Sequence, residues 1–311
     1  MTSRVSFRIL AGVLGAALLA ACTTAAAPAK PAQRTFPSAR AAADALVSAA
    51  EKFDVEALKA ILGPDGEDLV VTEDAVADRN QAAAFAAKAR EKLAVELDPK
   101  NPKTATLVIG ADEWPVPIPV VEVGGTWRFD SKAGQEEVLY RRIGRNELDA
   151  IEVCREYVEA QHKYATERHD GSRVNQYAQR VISTPGKHDG LAWRAPDGTW
   201  QGPLGETAAR AIMEGYTDRS GPYRGYYFKI LKGQGPHAQL GEMDFVVQGV
   251  MIGGFALVAA PADYEVTGVK TFIVSHDGVV YEKDLGPQTL EAFGAMDRFD
   301  PDESWSPVEE P

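Results

Sequence analysis

The sequence predicts an α+β fold in two parts, and three observations carry that reading. Apolar residues recur at helical spacing from residue 38 to about 93, give way to β-branched runs between 104 and 130, and return to helical spacing from 136 to about 168. Beyond residue 225, five apolar, aromatic or β-branched runs follow one another with no helical stretch between them, which favours an antiparallel sheet. The chain thus divides into a leader (1–21), a tether (22–35), a helix-plus-curved-sheet domain (36–135) and a long helix with an antiparallel sheet (136–311).

The leader has a basic start, Arg4 and Arg8, then an uncharged apolar stretch over 9–21, too short for a comfortable membrane span. It ends in Leu19-Ala20-Ala21-Cys22, which resembles the bacterial lipoprotein box. That resemblance implies cleavage before Cys22 and lipidation of its thiol. Thr23, where an Asp would mark retention at the inner membrane, resembles the pattern sorted outward. The expected location is the periplasmic side of the cell envelope, with an outer-membrane anchor. Several acyl chains on one Cys would hold stably, because each buried methylene contributes about 0.8 kcal/mol. The Ala-, Pro- and Thr-rich residues that follow read as the tether.

Ser38 is the expected N-cap of a helix with Ala42, Ala45, Leu46 and Ala49 on its apolar stripe. A second helix is expected over 55–62, stopped by Gly63-Pro64-Asp65-Gly66. A third is expected over 78–93, capped by Asp78. Residues 104–109 read as a strand. In 114–123, Pro115, Pro117 and Pro119 share one face and leave Val116, Ile118 and Val120 on the other, so this is an edge strand or a polyproline segment. Gly124-Gly125 turns the chain into a strand over 126–130.

The long helical region over 136–168 is expected to break near Gly144. Past the break, Leu148, Ile151, Cys154, Val158 and Ala165 form its stripe. A turn-rich stretch over 177–193 and a helix over 204–215 come next. Strands are expected over 225–231, 244–250, 254–260, 269–275 and 279–283, with Asp277-Gly278 as a hairpin turn.

Composition narrows the function classes. The 311 residues carry 45 acidic and 33 basic side chains, a net charge of −12. Losing Arg4 and Arg8 with the leader takes the mature chain to −14. Such acidity argues against a nucleic-acid partner, which demands a basic face. Two cysteines exclude a disulfide-rich scaffold and a four-cysteine zinc site.

The helices followed by a sheet that ends in Gly124-Gly125-Thr126-Trp127-Arg128-Phe129-Asp130 resemble the cone-shaped domain of nuclear-transport-factor-two-like proteins. In the second part, Ala160-Gln161-His162-Lys163-Tyr164-Ala165, Gly225-Tyr226-Tyr227-Phe228 and the hairpin over 271–280 resemble a type IV pilin-like globular domain, although the pilin membrane helix and processing site are missing. From Phe36 to the C-terminus the chain resembles a proteobacterial envelope family known only as a domain of unknown function, number twenty-nine-fifty. The carrying stretches are Trp114-Pro115-Val116-Pro117-Ile118-Pro119, Arg141 to Glu147, Ser183 to Leu191, and Gly249 to Leu257. This resemblance implies a family and no activity.

Candidate chemistry is sparse. Arg141, Arg142 and Arg145 form a basic knot whose guanidinium forks suit a carboxylate or phosphate on a partner or a lipid; the competing reading is internal pairing where the two parts meet. Three His-Asp-Gly triplets begin at His169, His188 and His276, and Asp-Gly reads as turn chemistry. No His pair has metal-ligand spacing, and no cofactor fingerprint is present, so neither a metal nor a cofactor is expected. Cys154 sits on an apolar stripe and reads as a core thiol. No catalytic residue is assigned. The function expected is a non-catalytic interaction or assembly module, tied to the membrane by its lipid and open to an envelope protein partner. The alternative is a periplasmic ligand binder or hydrolase using a cavity in the first domain, around Trp114 or Trp127.

Overall fold

The computed structural model describes residues 33–71, 75–204 and 222–309. Cys22, the leader and most of the tether lie outside the described residues, as does the helix expected over 204–215 beyond Leu204.

Ser38 caps α1 (Ala39–Lys52) by accepting from the Ala41 N–H at 3.1 Å. The buried face includes Ala42, Ala43, Leu46, Val47 and Ala49, broader than the stripe read from spacing. Phe53 closes the helix at φ 48°, and Asp54 caps α2 (Val55–Leu62). Gly63 ends α2 at φ 76°, a left-handed turn suited to a residue without Cβ, and a 3-10 turn covers Pro64–Leu69. α3 (Ala75–Glu91) starts before Asp78, so Asp78 is not its N-cap. The residue lies inside the first turn and is only 7% exposed.

Leu93, expected to end α3, instead opens β1 (Leu93–Asp98). This strand pairs antiparallel with β2 (Asn101–Ile109), Leu93 opposite Ile109. β3 (Trp114–Pro115) pairs with the end of β2, and the proline strap runs on to β4 (Val120–Val123). Val116, Ile118 and Val120 are buried, as their alternation with the prolines predicts. Gly124 and Gly125 turn at positive φ into β5 (Thr126–Phe129). The sheet order is β1-β2-β4-β5, and it packs with α1, α2 and α3 around Leu46, Ile61, Leu107 and Phe129.

Asp130 leaves the sheet and caps α4 (Ser131–Tyr164), its carboxylate accepting from the Ala133 N–H. This helix begins five residues before the expected Glu136 and has no break at Gly144. Its 34 residues span about 51 Å. The expected boundary between 135 and 136 therefore falls within one continuous helix. The first turns belong to the first core: the Ser131 hydroxyl donates to the Leu62 carbonyl, and Gly134 packs on Ile118. The later turns belong to a second core with Cys154, Tyr157 and Val158. Leu148, expected on the buried stripe, is 69% exposed, because the stripe begins only at Ala150.

Beyond α4, residues 165–192 run irregularly over the second core, and β6 (Trp193–Arg194) pairs with β7 (Trp200–Gln201). The main sheet opens with β8 (Tyr226–Leu231). The single strand expected over 244–250 is split. β9 (Gly233–Gln234) pairs with β10 (Met243–Asp244), and β11 (Val246–Val247) pairs with β12 (Val250–Met251) across a turn at Gln248 and Gly249, both at positive φ. β13 (Ala256–Pro261), β14 (Lys270–Ser275) and β15 (Val280–Asp284) follow, then α5 (Thr289–Ala295) and β16 (Ser306–Pro307). The antiparallel order is β16-β15-β14-β13-β8. β13, paired on both sides, is buried along its whole length, and α4 crosses this sheet. No helix among the described residues is long and apolar enough to cross a membrane.

Candidate functional site

The first core is not filled. Where α1, α2 and α3 face the proline strap, a pocket of about 380 Å³ opens. Its walls are Leu46 and Ala50 of α1, Leu58 and Leu62 of α2, Ala82 and Phe85 of α3, and Trp114, Val116, Pro117 and Ile118 of the strap, with Val138 of α4 at one side. Two of the lining residues, Ala50 and Ala82, carry only a methyl group, and close packing tolerates few voids of this size. The volume lies at the lower end of the range for small-molecule pockets.

The polar side chains of the lining are Asp68, Asp78 and Gln81; no Lys, Arg or His is among them. Trp114 is the aromatic wall nearest the sequence-based expectation. Trp127 is not part of the lining: its backbone exchanges two hydrogen bonds with Phe36, both at 2.8 Å.

Arg141 supports this wall from behind. Its Nη1 donates to the Pro115 carbonyl at 2.7 Å, its Nε donates to the Glu137 carboxylate at 2.8 Å, and the guanidinium lies 5.4 Å from the Trp114 ring centroid. It therefore fixes the strap onto α4. The knot divides here, because Arg142 and Arg145 are exposed and have no ion pair among the described residues. Nearby carboxylates are engaged elsewhere. Glu147 accepts from the Val269 and Lys270 N–H groups, and Asp149 pairs with Arg224 at 2.6 Å.

Two of the three His-Asp-Gly triplets, those at His169 and His276, are turns, whereas His188-Asp189-Gly190 is irregular chain just past a turn at Thr184 to Lys187. Asp170 and Gly171 take positive φ, and the Asp170 carboxylate accepts from the His188 N–H at 2.8 Å. Asp189 accepts from the Thr184 N–H and hydroxyl, which hold its carboxyl below the ordinary range despite an opposing desolvation. The Asp277 carboxylate accepts from the Ser275 hydroxyl and the Val279 N–H around Gly278 at φ 79°. His169 stacks on Tyr164 with centroids 3.9 Å apart, His188 lies against Trp193, and His276 sits among Phe245 and Phe255. No group of three or more His, Cys, Asp or Glu among the described residues is placed to hold a metal. Cys154 is fully buried, and that desolvation pushes its thiol up to about 12, so thiolate chemistry is suppressed.

One buried polar residue was not singled out by spacing. Gln161 exchanges two 2.8 Å hydrogen bonds with the Ala178 backbone and donates to the Tyr157 hydroxyl. It ties the irregular segment to α4. Within that segment Gly190 approaches Ile182 and Ser183 so closely that a Cβ would meet the Ser183 nitrogen at 2.7 Å, which accounts for the glycine in the Ser183 to Leu191 stretch.

The fold and site define a class: an α+β chain with two cores threaded by one helix, and an apolar pocket in the first. The family model described as "Protein of unknown function (DUF2950)" matches residues 33–308, and the chain belongs to that family. No curated protein and no solved structure matches the chain.

Proposed function

We propose that this protein is a lipid-anchored, non-catalytic binding module of the cell envelope, held through Cys22 on the periplasmic side of the outer membrane, whose first-core pocket takes a small apolar molecule. The observation that carries the reading is the 380 Å³ pocket with its apolar walls. Burying apolar surface there supplies roughly 25 cal/mol per Å². The exposed Asp68 carboxylate at its edge disfavours a fatty acid, whose own carboxylate it would repel, and suits a ligand with a neutral or basic head.

Two measurements test this. Titration with the neutral dye Nile red is expected to give saturable emission that n-decanol displaces. Ala82→Trp, which fills the pocket, is expected to abolish the signal while near-ultraviolet circular dichroism stays native. Non-saturable binding, or full binding by the native-like variant, overturns the pocket reading. For the anchor, Cys22→Ala is expected to move the chain from the membrane fraction to the soluble fraction; unchanged partitioning refutes lipidation.

A further inference from the structure

We infer that the middle of α4 is a docking face for an anionic lipid surface, with Arg142 and Arg145 as the headgroup contacts. The inference rests on the anchor reading for its setting, and it goes beyond the pocket.

Between its two cores α4 presents a face left exposed among the described residues. Tyr140 is 64% and Leu148 69% exposed, and a Cβ on the intervening Gly144 would meet nothing within 4 Å. Arg141, Arg145 and Leu148 follow one another at i,i+4 and i,i+3, and Arg142 precedes Arg145 at i,i+3, so these four share one side of the helix, with Gly144 and Tyr140, at i,i+4 before Leu148, toward its far flank. The acids that would ordinarily neutralise the knot are occupied: Glu137 by Arg141, Glu147 by two backbone N–H groups, and Asp149 by Arg224. Arg142 and Arg145 thus project two guanidiniums on the side of the helix that carries the exposed Leu148, while Tyr140 lies about 160° round the helix from Arg142. An exposed aliphatic side chain flanked by Arg suits the headgroup layer, where apolar bodies sink and forked donors meet phosphates.

Chain length puts that surface within reach. Gln33 is fixed to the body by its Nε2, which donates to the Ile61, Leu62 and Phe129 carbonyls, and the Ser131 hydroxyl at the start of α4 shares the Leu62 carbonyl. From Ser131, Arg142 and Arg145 lie about 17 and 21 Å along the helix. Eleven residue steps from Cys22 to Gln33 span at most about 40 Å. A membrane holding the acyl chains is therefore near enough for the knot to touch. The overall acidity does not prevent this, because charges farther away than about 8 Å are largely screened at physiological salt.

The test uses the full lipidated chain, Leu148→Cys, with an environment-sensitive fluorophore on the new thiol. Buried Cys154 stays silent to the reagent, its thiol being pushed up to about 12. The chain is placed in vesicles of phosphatidylcholine alone, or of phosphatidylcholine and phosphatidylglycerol in equal parts. The expected result is a blue shift in the anionic vesicles only, reversed by high salt. Each arginine is worth roughly five-fold in the docked population, so Arg142→Gln with Arg145→Gln lowers it roughly 25-fold, and the paired Lys variants retain most of it. Equal spectra in the two vesicles, a shift untouched by the Gln pair, or a shift that needs an acidic envelope protein overturns the inference. The Cys22→Ala chain, added to the same anionic vesicles at high lipid, separates the two readings. A blue shift there with unaltered cell fractionation refutes the anchor alone, and no shift in either chain refutes the docking face.

Discussion

Two glycines in α4 make opposite predictions for one substitution. Gly134 and Gly144 both lie inside the helix and neither has positive φ, so alanine gains about 0.8–1 kcal/mol of helix propensity at each. At Gly144 nothing lies within 4 Å of the new methyl, so Gly144→Ala is expected to stabilise by about that amount. At Gly134 the methyl meets Ile118 Cγ1 at 2.8 Å and Cβ at 3.1 Å. The Ile118 Cβ is fixed by its backbone, and the strap is pinned in turn by Arg141 through Pro115, so the neighbour cannot swing aside. Overpacking of this kind costs about 1–3 kcal/mol. The net for Gly134→Ala is a loss of about 0–2 kcal/mol, and Gly134→Val loses more. The assay is urea and thermal denaturation of the mature chain, where 1 kcal/mol shifts Tm by roughly 2–4 °C in a body of 150–250 residues. Stabilisation by Gly134→Ala equal to that of Gly144→Ala would refute the packing of the first turns of α4 on the strap. Destabilisation by Gly144→Ala would refute a continuous helix.

Other outcomes follow from single residues. Gln161→Met removes both partners of the buried Ala178 backbone groups and is expected to cost about 2–4 kcal/mol in denaturation; a change below about 0.5 kcal/mol contradicts the assigned bonds. Cys154 is expected to resist a maleimide in the native chain and to react fully in urea, and prompt native labelling contradicts its burial. The His237 imidazole hydrogen-bonds Asp300, whose charge raises its pKa above 6.5. A raised folded value means stability that is present below 6.5 and lost as pH rises through the folded value. His237→Gln should therefore be less stable than wild type just below pH 6.5 and converge with it at alkaline pH; a gap that widens with pH has the wrong sign.

The misread elements share a cause. Local preference ends α3 at Leu93 and assigns nothing to 94–98; pairing with β2 decides that Leu93 to Asp98 is a strand. Gly144 reads as a break because glycine weakens a helix by about 1 kcal/mol. Packing at both ends of α4 outweighs so small a term: Ser131 and Gly134 are buried in the first core, and Cys154 and Tyr157 in the second. Leu148 belongs to the apolar stripe by spacing alone, but the second core starts one turn too late to cover it. The Arg knot was visible as a cluster, whereas its division was not, since Arg141 is claimed by Pro115 and Trp114 of a strap 26 residues away.

The sequence alone determined the α+β class, the family, the cap at Ser38, the alternation that buries Val116 and Ile118, and the turn at Asp277-Gly278. These depend on local spacing and backbone preference, which neighbouring residues are enough to set. Only the tertiary structure decided the single helix through both cores, the pocket beside Ala50 and Ala82, and the lack of an ion pair at Arg142 and Arg145 among the described residues. An unfilled volume is the shortfall between distant walls, and a free charge is one whose neighbours are engaged by residues far along the chain. Both are properties of packing, which spacing along a chain does not record.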